Sequence, residues 1–185
     1  MKYDVILADP PWHFESFIPG KNTRSAENHY PTMSTPEICD LPVGDLAADN
    51  AALFLWAVWP RVFDAKDVID AWGFEYRSLA WCWVKANKSG FGFFTGMGYY
   101  FRQNTEPCFL AIRGSMPAAR HDLQALIYSA VRDHSQKPTD QYRKIEALYP
   151  EKRYLELFAR RTRPGWDAWG NEVPNSVEME VSDAS

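Results

Sequence analysis

Short apolar runs and stretches of helical spacing take turns from Val5 to Trp169. Residues 5–8 (Val-Ile-Leu-Ala) read as a strand covered on both faces, and the run stops at Asp9-Pro10-Pro11. Two consecutive prolines give no N–H to a ladder, so the strand ends there. A second buried run covers 51–56. It is followed over 61–72 by Val62, Phe63, Ala65, Val68, Ile69 and Trp72 at helical spacing, closed by Gly73. Residues 76–85, rich in aromatics, fit a strand, as do 106–113, 126–131 and 153–158, with a short last one at 166–169. Ser34 and Glu37 form a capping box with Pro36 in the first turn of a short helix. Pro138 introduces a helix over 139–148. Residues 13–30 and the glycine-rich 88–98 read as loops, and loops this long in a compact domain are commonly functional.

Strands alternating with helices predict an α/β fold with a mostly parallel sheet. In such sheets chemistry sits beyond the carboxyl ends of the strands. Asp9, the 86–105 loop, the 132–138 loop and Arg160 all follow strands, and so are expected along one edge.

At 185 residues the chain is long enough for one domain with a proper core. Aromatics at 15%, with 8 Trp, argue against disorder and supply flat surfaces for stacking. No apolar run is long enough to span a membrane. An acid at Asp4 speaks against an export signal, which places the chain in the cytoplasm. Cys39, Cys82 and Cys108 are widely spaced, and the histidines (13, 29, 121, 134) do not cluster, so neither a disulfide framework nor a metal site is expected. The net charge of −4 conceals an asymmetry. Residues 1–75 hold 5 Lys/Arg against 12 Asp/Glu, residues 76–171 hold 15 against 8, and 172–185 hold four acids and no base. The middle and late chain can therefore present a basic face, although bulk charge does not favour nucleic acid. The acidic stretch 173–185 is expected to be a disordered tail after a single domain over 1–172.

Asp9-Pro10-Pro11-Trp12 carries the chemistry. An exocyclic amine is a poor nucleophile because its lone pair is delocalised into the heterocycle. Two acceptors on its hydrogens, the Asp9 carboxylate and the Pro10 carbonyl, draw the nitrogen toward tetrahedral geometry and free the lone pair for a sulfonium methyl. The prolines fix φ and remove amide donors, so the carbonyl is aimed without a competing N–H. Trp12 offers a plane for an extruded base. The same device serves adenine, cytosine or a glutamine amide.

These residues, with Asn28-His29-Tyr30-Pro31-Thr32-Met33, resemble the MT-A-seventy family of adenine amino-methyltransferases, which includes the catalytic subunit of the messenger-RNA adenosine methyltransferase. Further matches follow in the same order: Leu53 to Trp56, Trp72-Gly73-Phe74, Trp83-Val84-Lys85 and Glu106-Pro107-Cys108. Then come Val131-Arg132, Ser135-Gln136-Lys137-Pro138, Glu156 to Arg160 and Trp169-Gly170-Asn171, so that 5–172 is covered. The resemblance implies S-adenosyl-L-methionine as methyl donor. It also implies a Rossmann-like methyltransferase fold, with helices on both faces of the sheet and a permuted order in which the catalytic motif precedes the donor-binding strand.

By the same resemblance Asp9 and Pro10, flanked by Pro11 and Trp12, hold the amine, and Asp9 also lies near the donor. Lys137 reaches the donor's methionine carboxylate, and a Lys before Pro at a helix entry suits an anion. Glu156, Phe158 and Arg160 belong to the donor-binding strand, with Phe158 on the adenine; a period of two puts Glu156 and Phe158 on one strand face. Asn171 and Glu172 match a polar pair touching the donor nucleoside. Trp12, Tyr30 and Glu106 are assigned to the target base. Lys21, Arg24, Lys88, Arg102, Arg132, Arg161 and Arg163 are candidate phosphate contacts.

The chain departs from the family at three places. Ala159 stands where a glycine-rich loop would have Gly. Arg161-Thr162-Arg163 replaces a commoner polar pair. Family members carry donor-adenine contacts before the catalytic strand, which here are expected to be missing or replaced. The reading is adenine methylation in nucleic acid, DNA rather than RNA in a bacterial or phage setting, with a catalytically silent nucleic-acid-binding subunit as the other class. Such subunits lose the motif's acid, and Asp9 is intact. With no separate recognition domain expected, target choice falls to loops, a homodimer or a partner subunit.

Overall fold

The computed structural model describes residues 1–13, 32–98, 100–132 and 136–179. Seven strands form one sheet: β1 (Tyr3–Ala8), β2 (Ala47–Trp56), β3 (Glu75–Ala86), β4 (Thr105–Arg113), β5 (Leu126–Ala130), β6 (Tyr154–Leu157) and β7 (Trp166–Trp169). Their spatial order is β5-β3-β4-β2-β1-β6-β7. β1 is internal, parallel to β2 on one side and to β6 on the other, and β6 is parallel to β7. Only β4 runs against its neighbours β2 and β3. This is the α/β Rossmann-like methyltransferase arrangement.

The helices are α1 (Thr35–Cys39), α2 (Val43–Leu46), α3 (Asp64–Ala71) and α4 (Asp140–Leu148). The capping box at Ser34 is present, with the Glu37 carboxylate accepting from Ser34 N and Glu37 N donating to Ser34 Oγ. The expected helix over 61–72 is shorter. Pro60 lies in a 3-10 turn at Trp59–Arg61, and the α-helix begins at Asp64. α2 follows Pro42 and, at four residues, is too short to show a period of its own.

Alternation along the central strands divides the core in two. Ile6, Ala8, Leu53 and Leu55 face Ile38 of α1 and Ala65, Val68 and Ile69 of α3, while Val5, Leu7, Phe54 and Trp56 face Ile145 of α4. Both faces are therefore covered, which is why the central runs are continuously apolar. Residues 173–179, expected to be unstructured, instead run back along β7. Ser176 N donates to Ala168 O, and Val177 and Met179 pack on the core, so ordered chain extends past 172. Among the described residues no helix is long and apolar enough to cross a membrane, and no His/Cys/Asp/Glu group could hold a metal ion.

The turn after β6 sets the shape of the site. Phe158 adopts φ +60°, a left-handed conformation that costs a non-glycine residue ~1–3 kcal/mol. It is held by Ala159 N donating to Trp169 O at 2.9 Å and by the close approach of Gly170. A Cβ there would fall 2.2 Å from Ala159 O and 2.6 Å from Ala159 N. The glycine missed at Ala159 is thus supplied by Gly170 across the sheet. Gly170→Ala is expected to lower stability by about 1–3 kcal/mol, read as a lower urea midpoint at unchanged slope. An unchanged midpoint would show that the turn yields.

Candidate active site

β1, β2, β3, β5, β6 and β7 all end along one edge of the sheet. β4 is reversed, so its beginning lies there too, and Glu106, near the start of β4, arrives beside residues that follow the other strands. A cleft of about 310 Å³ opens on this edge. It is lined by Asp9 after β1, Lys137 before α4, Tyr142 on α4, Glu156 on β6, Phe158 and Arg160 after β6, and Glu172 after β7.

Lys137 is at the centre of the polar network. Its ammonium donates to both carboxylate oxygens of Asp9 at 2.7 Å each and lies 3.4 Å from Glu106 Oε2. It sits 5.3 Å from the ring centroid of Trp56, whose indole N–H donates to buried Gln141. Lys85, 5.1 Å from the Trp83 ring centroid, donates to Glu106 Oε1. The side chains of Lys137, Lys85 and Glu106 are 12%, 17% and 19% exposed, so these charges are poorly solvated. Burial raises the Asp9 carboxyl against the pull of Lys137. Burial also acts to raise Glu106, but Lys137 and Lys85 outweigh it and hold that carboxyl below its ordinary range. Glu106 Oε2 is buried and accepts no hydrogen bond among the described residues, which leaves it acceptor capacity.

The Asp9-Pro10-Pro11-Trp12 turn differs from expectation in two respects. Pro10 O already accepts from Trp12 N at 2.8 Å, so one N–H does compete for it; a carbonyl's second lone pair stays available. Trp12 is 4% exposed, with its indole N–H donating to Trp56 O at 3.0 Å. In this arrangement it is a rivet between the ends of β1 and β2, not a plane for a base. The turn is tied down further by Met33 N donating to Pro11 O and His13 N to Met33 O.

Lys137 stands immediately before the entry to α4, as expected, but its ammonium is engaged with Asp9 and Glu106 and is not a free anion hook. Glu156 and Phe158 both line the cleft, though not by sharing a strand face. β6 ends at Leu157, and the left-handed turn sends the Phe158 ring against Trp169, with ring centroids 5.4 Å apart. Glu156 turns to the α4 side, where the Tyr142 hydroxyl donates to both its oxygens at 3.0 Å. Burial pushes the Glu156 carboxyl up to about 7. Arg160 pairs with Glu172 at 2.7 Å on the rim. Asn171 is exposed and does not line the cleft. Of the candidate phosphate contacts, Arg132 and Arg161 line the cleft, and Lys88 and Arg102 are exposed. Arg163 also lines the cleft, but its guanidinium clasps Glu146 and covers the Tyr142 ring. Tyr30, Lys21 and Arg24 lie outside the described residues.

Sequence reasoning gave no role to Lys85, Trp56 or Tyr142. Lys85 and Trp56 fall inside matched strings but read as a strand end and a core aromatic; Tyr142 reads as one more helix position.

Known proteins match this arrangement. The family model described as MT-A70 matches residues 3–172. The Type II methyltransferase M.MunI of Mycoplasma sp is 32% identical over 196 residues, covering 96% of this chain and 81% of that protein. An N(6)-adenosine-methyltransferase MT-A70-like protein of Arabidopsis thaliana is 31% identical over 96% of this chain and 24% of its own length. The human N(6)-adenosine-methyltransferase catalytic subunit METTL3 is 30% identical over 93% of this chain and 28% of its own. This chain thus spans about a quarter of those two proteins but most of the Mycoplasma one. A match from the first strand to the end of the seventh, with Asp9 seated on the strand edge that the fold reserves for chemistry, makes the chain a member of the MT-A70 family of S-adenosylmethionine-dependent adenine methyltransferases.

Proposed function

We propose that the chain methylates the exocyclic 6-amino group of adenine in DNA. The observation that carries this is the Asp9 carboxylate lining the cleft, next in the chain to Pro10 and braced by Lys137. Preference for DNA over RNA is supported by the fuller length match to the protein named a type II methyltransferase.

The cleft suits the donor. Carboxylates at Glu156 and Glu172 fit ribose hydroxyls, the Phe158 ring fits a purine face, and Arg132 and Arg161 fit a carboxylate. Asp9 places negative charge where a sulfonium would lie. S-adenosylmethionine, when bound, supplies a sulfonium-activated methyl group. Asp9 and Pro10 O accept from the two amine hydrogens and pull the nitrogen out of conjugation. Glu106, buried 3.4 Å from the Lys137 ammonium, acts on the site through Lys137 and not by contact with the base. Lys137 fixes the direction of the Asp9 oxygens. After transfer the nitrogen has one proton too many, and the burial-raised Asp9 carboxylate is suited to take it.

Asp9→Ala is expected to reduce methyl transfer at least about a hundredfold while donor affinity falls far less, because the contact strengthens toward the transition state. Calorimetry with donor and a turnover assay on oligonucleotides separate the two, and a fully active variant removes the reading.

Glu156 gives a pH prediction. Its folded value of about 7 lies above the ordinary 4.5, so the neutral carboxyl favours the fold. That stability is fully present below 4.5 and is lost as pH rises through about 7. Glu156→Gln is therefore expected to be about 1–3 kcal/mol more stable than the parent at pH 8, with the gain vanishing toward pH 4.5. In the parent, donor affinity should rise between pH 6 and 8 as the carboxylate becomes available to the ribose, and the variant should lose this slope.

An adenine in a duplex must be flipped before Asp9 reaches it, at a cost of a few kcal/mol. Single-stranded or mismatched adenine is thus expected to react faster than the same adenine in a perfect duplex, with rates falling steeply with salt. Matched DNA and RNA oligonucleotides across a salt series check this. A salt-resistant duplex preference would point to a recognition surface not identified in this chain, and faster RNA methylation would reassign the substrate.

A further inference from the structure

The segment between β3 and β4 carries a group of strongly exposed aromatic side chains. Phe91 is 84% exposed, Phe93 61%, Tyr100 88% and Phe101 82%, and Tyr128 of neighbouring β5 is 52% exposed. Phe93 meets Tyr128 edge to face, with ring centroids 6.1 Å apart. Exposing this much aromatic surface in one place is costly in water and marks a contact surface.

Its composition says what kind of contact. Residues 87–104 contain Lys88 and Arg102 and no Asp or Glu, in a chain whose net charge is −4. The apolar residues are almost all aromatic, separated by Gly90, Gly92, Gly96 and Gly98, with Met97 the exception. Flat rings set among glycines and cations fit a polyanion with flat bases, since base–ring stacking combined with basic groups is how unpaired strands are held without sequence preference.

The segment also adjoins the site. Phe94 N donates to Lys85 O at 2.8 Å and Lys85 N to Asn104 O at 2.8 Å, while the Lys85 ammonium pairs with Glu106. A strand lying across these rings would deliver the next base toward Glu106 and Asp9.

We propose that residues 87–98 and 100–104, with Tyr128, form a stacking platform for unpaired bases flanking the target adenine. This rests on the reading of the chain as an adenine methyltransferase of nucleic acid, and it adds a place where the strand outside the catalytic pocket is held. It also gives the predicted single-strand preference a structural source, since paired bases hide the faces that the rings would stack on.

The test uses the double variant Phe91→Ser/Phe101→Ser. Both side chains are more than four-fifths exposed, so their truncation leaves the core intact, and an unchanged S-adenosylmethionine dissociation constant verifies this. Fluorescence anisotropy without donor measures binding of a 20-nucleotide oligodeoxycytidine and of an abasic strand of equal length and charge. The expected result is at least about a tenfold loss of affinity for oligodeoxycytidine, no change for the abasic strand, and an unchanged oligomeric state by light scattering. Equal affinities for oligodeoxycytidine, or an equal loss on the abasic strand, overturn the platform. So does a shift from dimer to monomer, which would assign the rings to a second copy of this chain. Because the probe contains no adenine, binding is read even if the proposed reaction fails. That failure would appear separately, as a parent protein that methylates no adenine-containing oligonucleotide.

Discussion

The site depends on one ammonium shared by two carboxylates. Asp9 and Glu106 come from strands running in opposite directions, and without Lys137 between them two poorly solvated negative charges would face each other. Removing such a cation leaves charge uncompensated, which is far costlier than losing a surface pair. The shared proton donor also fixes geometry: with two of its hydrogens on Asp9, it holds that carboxylate plane in one orientation, while Lys85 holds the far oxygen of Glu106. Both lysines lie near indole faces, Lys137 by Trp56 and Lys85 by Trp83, which recovers part of the hydration they lack.

Rigidity is distributed unequally around this network. On the β1 side the Pro-Pro turn is bolted to Met33 and through Trp12 to Trp56. On the β6 side the strained backbone at Phe158 is held by contacts between Ala159, Trp169 and Gly170. The β1 half is thus built from proline and buried indole, and the β6 half from a left-handed turn pressed against a glycine. The two halves meet where β1 pairs with β6, the middle pairing of the parallel run β2-β1-β6-β7.

The strands and their covering helices were legible because burial on both faces leaves continuous apolar runs, and Asp9-Pro10-Pro11-Trp12 was legible because few other purposes require that string. Three features were hidden for physical reasons. The reversal of β4 leaves no mark in a nine-residue strand, so nothing local announces that Glu106 arrives at the carboxyl edge. The left-handed turn at Phe158 is imposed by a glycine twelve residues later, so a period of two misplaces that ring. The engagement of Lys137 with Asp9 joins residues 128 apart, and only the assembled fold brings them into contact. Trp12 shows the converse: a residue type suited to stacking on a base was claimed first by the core.

The pairing of β1 with β6 has a consequence for synthesis. β1 leaves the ribosome ahead of the other six strands and finds β2 within some fifty residues, but its other edge stays open until Tyr154–Leu157 has been made. At roughly 5–20 residues per second that interval lasts on the order of 5–20 s. During it Val5, Ile6 and Leu7 present an unpaired apolar edge beside a growing sheet, a template for pairing with the wrong strand. Because β2 to β5 are all made between β1 and β6, the Asp9 side of the cleft meets its Glu156 side late, and until then the nascent chain is open to misassembly at the strand that leads into Asp9.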